Sequence, residues 1–212
     1  MFSNGPIGLL QDSPLAFLML AIALIEAIAL HEFAHAYAAD LQGDRLPRAM
    51  GRVTLNPIKH LDPMGTILIF LAGFGWGKPV EFRPEALSSQ RFGAALVALA
   101  GPIMNLLLAL VAAFGLVATD GASTFGALRI FFEYFFALNV LLAVFNLIPL
   151  PPLDGSRLLT IFLPPRHQRI IFFLDRYGVM ILLALVLFGG FRFLTPLIRV
   201  VGAALLRITG AG

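Results

Sequence analysis

An all-α polytopic membrane protein is the fold class that this 212-residue chain predicts, and three observations carry it. Hydrophobic residues make up 59% of the chain and charged ones 13%, with a mean hydropathy of +0.90, which leaves too little polar surface to cover a soluble domain. Several apolar runs are long enough to cross a bilayer. The Lys and Arg residues fall in short segments beside those runs. The high isoelectric point therefore reflects membrane topology, and no nucleic-acid partner is expected. No repeat, low-complexity tract or long linker divides the chain, so a single domain over 1–212 is the expectation.

The first apolar run, 14–39, reads as a spanning helix. Residues 1–13 carry no Lys or Arg, and cleavage after this run would discard the polar groups inside it, so no cleavable signal peptide is expected. A shorter run, 64–76, contains Gly65, Gly73 and Gly75 and is followed by Gly77. It is too short to span and is read as a re-entrant hairpin or β-like element against the bundle, with an edge that an unwound substrate strand could pair with. Full spans follow at about 92–118 and 128–150, then 177–188, which continues either into a further span at 194–208 or into an amphipathic surface helix carrying Arg192, Arg199 and Arg207. The phenylalanines clustered at 131, 132, 135 and 136 and at 172 and 173 are expected to face lipid or the bundle core.

Charge bias orients the spans. Arg45, Arg48, Arg52, Lys59, Lys78, Arg83 and Arg91 lie between the first and second full spans, and Arg157, Arg166, Arg169 and Arg176 follow the third, while 1–13 and 119–127 carry neither Lys nor Arg. Both basic segments are placed in the cytoplasm, with the N-terminus outside.

Within the first run stands His31-Glu32-Phe33-Ala34-His35. A helix turns through about 400° over four residues, so His31 and His35 stack on one face where two imidazoles can grip one Zn²⁺, with Glu32 beside them as candidate general base. His35 lies about 7 Å from the cytoplasmic end of its span, which puts the metal in the inner leaflet. Ionisable groups at that depth are costly unless they serve a polar cavity. The chain has no cysteine, so any metal is held by His and carboxylate.

A third ligand is needed, and His60, His167, Glu26, Glu133 and Asp154 are the candidates. Glu26 is rotated about 140° from His31 on the same helix, and Glu133 lies toward the outer leaflet. His60 is read as loop structure or lipid-surface contact, His167 as solvated, and Asn56 and Asn139 as turn and interhelical groups. Asp154 follows Pro149, Pro151 and Pro152 at the cytoplasmic end of the third span, where broken helix is tolerated if it lines a cavity, and Gly155 after it permits a tight turn. Asp154 is the expected third ligand.

These blocks, with Gly51-Arg52-Val53-Thr54-Leu55-Asn56-Pro57-Ile58-Lys59-His60-Leu61-Asp62-Pro63-Met64-Gly65-Thr66, Gly77-Lys78-Pro79-Val80, Gly101-Pro102-Ile103-Met104-Asn105 and Leu153-Asp154-Gly155, resemble the site-2 protease family of intramembrane zinc metalloproteases. The resemblance implies one Zn²⁺ on His31, His35 and Asp154, Glu32 as base, and a three-helix catalytic core made of the first, second and third full spans. It implies as substrate a single transmembrane segment of another protein, unwound and cut within or near the bilayer; a prokaryotic cell membrane is the expected location, and the charge bias puts the active site toward its cytoplasmic side. Asn105 is a candidate to donate to the developing oxyanion or to hold an extended substrate strand, against the alternative that it bonds a neighbouring helix. No segment is long enough for the PDZ or CBS modules that many members carry. Two rival functions are a zinc-binding membrane scaffold, which would not require Glu32, and a metal transporter, which would need ionisable groups along the whole membrane depth.

Overall fold

The computed structural model describes residues 5–72, 75–121, 123–162 and 168–211. Among them the regular structure is helical, with one isolated antiparallel bridge between Leu61 and Gly77. His167 and Gly73 lie outside the described residues.

Three long apolar helices pack on one another: α2 (Pro14–Leu41), α5 (Gln90–Ala118) and α6 (Gly126–Asn146). A short α1 (Gly5–Asp12), not anticipated from the sequence, precedes them. Helix α2 starts where Ser13 Oγ accepts the Ala16 N–H at 3.3 Å and Pro14 presets the first turn. It stops before Gly43, whose φ of +106° suits glycine. Its inner face is lined by alanines. Ala23 and Ala27 meet Ala112 and Phe135, and Ala109, Ala113 and Ala143 are also fully buried. Small residues let helix backbones approach closely, which is how such helices associate where lipid removes the hydrophobic driving force. Glycine plays the same part at Gly115, where a Cβ would strike the Phe132 ring.

The run at 64–76 corrects an expectation. Its part up to Ala72 is not β-like: Pro63–Ala72 forms α4, after α3 (Leu46–Ala49). Asp62 starts the helix, its Oδ1 accepting the Gly65 N–H at 2.7 Å and its carbonyl accepting the Thr66 hydroxyl at 2.7 Å. Helix α4 leans on α1 and, through Phe70, on Phe17 of α2 at a ring separation of 5.5 Å. Its backbone bonds are internal, so it offers no strand edge. The only sheet-like pairing among the described residues is the Leu61–Gly77 bridge, which closes the turn behind it.

Beyond α6 the chain makes an irregular loop, α7 (Gly155–Phe162), α8 (Gln168–Leu187) and α9 (Leu194–Thr209). Helix α9 packs against α5 and α6, with Gly202 opposite Phe136. At the far end of α5 and α6, Arg129 bridges Asp120 at 2.7 Å and Glu133 at 3.2 Å, which accounts for Glu133 away from the histidines.

Candidate metal centre

His31 and His35 sit one turn apart on the buried face of α2, their Nε2 atoms 3.0 Å apart. Asp154 Oδ2 lies 3.2 Å from His31 Nε2 and 3.3 Å from His35 Nε2. The rings have room only because residue 101 of α5 has no side chain. A Cβ there would collide with both imidazoles.

The hydrogen-bond network fixes which ring nitrogens are free. The Val97 carbonyl can only accept, so His35 Nδ1, at 2.7 Å, carries the proton and donates. A longer chain of bonds does the same for His31. Asn139 Nδ2 donates to the Phe135 carbonyl at 2.7 Å, which turns Asn139 Oδ1 toward Asn105. Asn105 Nδ2 donates to that oxygen at 2.7 Å and to the Ala27 carbonyl at 3.3 Å, which turns Asn105 Oδ1 toward His31 Nδ1 at 2.5 Å. Backbone carbonyls at both ends set the polarity, and His31 Nδ1–H donates. Both Nε2 lone pairs therefore point at Asp154 from one side. A partner on the outer nitrogen is the usual way a metal-binding imidazole is held in tautomer and orientation.

Asp154 comes from the loop after α6. Leu150 and Leu153 pack with Leu182 of α8, and Gly178 of α8 meets the Pro151 carbonyl so closely that no Cβ fits. Gly155 has no room either, since a Cβ would strike the carbonyls of Leu147 and Ile148. Ser156 Oγ donates back to the Leu153 carbonyl at 2.7 Å and closes the turn. Asp154 Oδ2 is buried, close to two imidazole nitrogens, and hydrogen-bonded to nothing among the described residues. A carboxylate oxygen without a hydrogen-bond partner, facing two bare nitrogen lone pairs, fits a cation, and two His and one carboxylate are a ligand set that suits zinc with a position left open. The three residues form a group able to hold a metal ion.

Glu32 is carried beside the histidines and is mostly enclosed. Arg52, buried, brings Nη2 to 3.8 Å from Glu32 Oε2. The same guanidinium donates to the Pro79 carbonyl at 3.2 Å and to the Lys78 carbonyl. Gly77 passes over the base: a Cβ there would lie 3.5 Å from Glu32 Oε1 and crowd Ile28. His60 is fully buried behind this strip, donating from Nε2 to the Thr54 carbonyl at 2.8 Å, while its own carbonyl accepts the Lys78 N–H at 2.8 Å. Burial, with the Arg52 charge nearby, holds the His60 imidazole below its usual pKa and so neutral. That is a loop-organising role.

The structure thus brings His31, Glu32, His35 and Asp154 together and places Asn105 against His31, with its amide committed to helix and imidazole partners. Sequence reasoning gave Arg52 no role beyond the charge bias and Gly101 none beyond its motif, and it read Asn139 as an interhelical group without naming Asn105 as its partner.

The profile of peptidase family M50 matches residues 19–130 and 117–189. The chain is 42% identical over 184 residues to a Bacillus subtilis protein named "Putative zinc metalloprotease YwhC", covering 84% of this chain and 81% of the relative. The Rip2 proteins of Mycolicibacterium smegmatis and Mycobacterium tuberculosis, which bear the same description, are 30% and 34% identical over 177 and 179 residues, in each case 81% of this chain and 67% of the relative. No solved structure matches. With three helices long and apolar enough to cross a membrane, a profile match over most of its length and relatives named as zinc metalloproteases, the chain belongs to peptidase family M50.

Proposed function

We propose that the protein is an intramembrane zinc metalloprotease of the site-2 type, which cuts peptide bonds within or near transmembrane segments of other membrane proteins at the cytoplasmic side of the cell membrane. One Zn²⁺ per chain is held by His31, His35 and Asp154. The observation that carries this is the orphaned Asp154 oxygen facing both His Nε2 atoms with Glu32 alongside.

A bound zinc ion supplies a Lewis acid that polarises a carbonyl and lowers the pKa of a water toward neutrality. Glu32 takes the proton from the attacking water and later delivers it to the leaving amine nitrogen, as general base and then general acid. Asn105 and the Val97 carbonyl keep the two imidazoles in register through their Nδ1 protons. With its amide spoken for in this way, Asn105 acts here through His31. The substrate helix must unwind locally, because its peptide carbonyls are otherwise occupied by its own hydrogen bonds.

The test uses purified protein reconstituted in liposomes with a fluorescent reporter fused to one Ala/Leu-rich spanning helix interrupted by Gly-Pro. Wild type cleaves it, and Glu32→Gln keeps its zinc and cleaves nothing. Cleavage by Glu32→Gln at the wild-type rate refutes the reading.

A further inference from the structure

A buried guanidinium is an expensive group, and the position of Arg52 asks what it is for. It is 2% exposed, its Nη2 lies 3.8 Å from Glu32 Oε2, and its Nε is buried without a partner. If its task were only to bind the carbonyls of Lys78 and Pro79, a neutral donor would do so without the cost of desolvating a charge. At 3.8 Å the guanidinium is too far from Glu32 Oε2 for a hydrogen bond, yet near enough to attract it. Both carboxylate oxygens therefore stay free to take a proton. The two carbonyls in turn fix the plane of the guanidinium, as a fork-shaped donor allows and an ammonium does not.

Resting on the reading of Glu32 as the base, we propose that Arg52 is its positioning residue: its charge holds the Glu32 carboxylate in place, and its grip on the Lys78 and Pro79 carbonyls ties the base to residues 77–80 as one unit. Gly77 completes the unit from above. The geometry of proton transfer is then set by the loop that follows α4 as well as by α2, and loosening Arg52 displaces the base without touching the metal ligands.

Arg52→Gln and Arg52→Lys, made in the full chain and assayed on the liposome reporter beside wild type and Glu32→Gln, test this. Gln keeps amide donors for the carbonyls and loses the charge; Lys keeps the charge and loses the fork. The expected result is a fall in kcat of about 100-fold for Arg52→Gln, the scale on which a misplacement near 1 Å acts. Arg52→Lys falls between it and wild type, and both variants keep wild-type KM and zinc content. A clamp that only braces the loop predicts equal effects of Gln and Lys, and that result overturns the proposal, as does wild-type kcat in Arg52→Gln. Should Arg52→Gln lose its fold or its zinc, Arg52→Lys decides alone: lowered kcat at unchanged KM and full zinc supports the proposal, and wild-type kcat overturns it. If wild type fails to cleave, or Glu32→Gln cleaves equally well, the proteolytic reading itself falls; if Glu32→Gln is dead while Arg52→Gln is intact, only the role of Arg52 falls.

Discussion

The loop that delivers Asp154 and the segment that surrounds Glu32 close the same site from two sides, and different forces hold them. Leu150, Leu153 and Leu182 pack the first against α8, with glycines where backbones touch. Charges hold the second. Asp40 receives Arg45 at 3.0 Å and Arg48 at 2.7 Å, Asp44 receives Arg83 at 2.9 Å, and Arg52 reaches residues 78 and 79. The contrast follows from solvent. At membrane depth an unpaired polar group is costly and shape does the fixing, whereas at the basic edge carboxylates can meet arginines such as Arg45, Arg48 and Arg83, which keep one side exposed.

This contrast can be broken from either side. The largest effect is expected where packing meets the metal: Gly101→Val drives a branched side chain into both imidazoles and lowers zinc affinity by about 100-fold or more, measured by chelator competition. Asn105→Ala removes the acceptor that fixes the His31 tautomer and costs about 10- to 100-fold in zinc affinity or kcat. Leu182→Ala leaves a cavity behind Leu150 and Leu153, destabilises the protein by about 2 kcal/mol or more, and weakens zinc binding only through the loosened loop; thermal melts with and without added zinc separate the two.

The smallest effect is on the charged side and depends on pH. Burial pushes the Asp44 carboxyl up, but the N–H groups of Arg83 and Leu46 and the Arg83 guanidinium outweigh it and hold the group below the usual carboxylate range. A depressed carboxyl contributes stability that is complete above its unfolded pKa of about 3.9 and is lost as pH falls below it. Limited proteolysis near residues 43–87 should therefore accelerate on acidification. Asp44→Asn should cost about 1 kcal/mol at neutral pH, since Arg83 is half exposed, and should flatten that acid response.

Much of this was legible in the sequence, and what was missed has physical causes. Helices α2, α5 and α6 follow from apolar length, and His31 with His35 from the helical period. The loop aspartate could be found by elimination, because the chain offers so few carboxylates. Helix α4 was misread because periodicity cannot tell a short apolar helix from a buried strand, and the glycines of the run suggested turns, whereas Gly65 serves a close approach under the Trp76 carbonyl. Helix α1 gave no signal in its eight residues. The tie between Asn139 and Asn105 joins two helices whose register no spacing along the chain reveals, and Gly101 matters for what it leaves empty.

Zinc content per chain, measured on purified wild type, Glu32→Gln and Asp154→Ala, tests the central claim most directly. Wild type and Glu32→Gln should each carry one zinc, and Asp154→Ala should lose most of it, because a ligand is gone from a site that leaves one position open. Full zinc in Asp154→Ala would contradict the convergence of two imidazoles and one distant aspartate on a single ion.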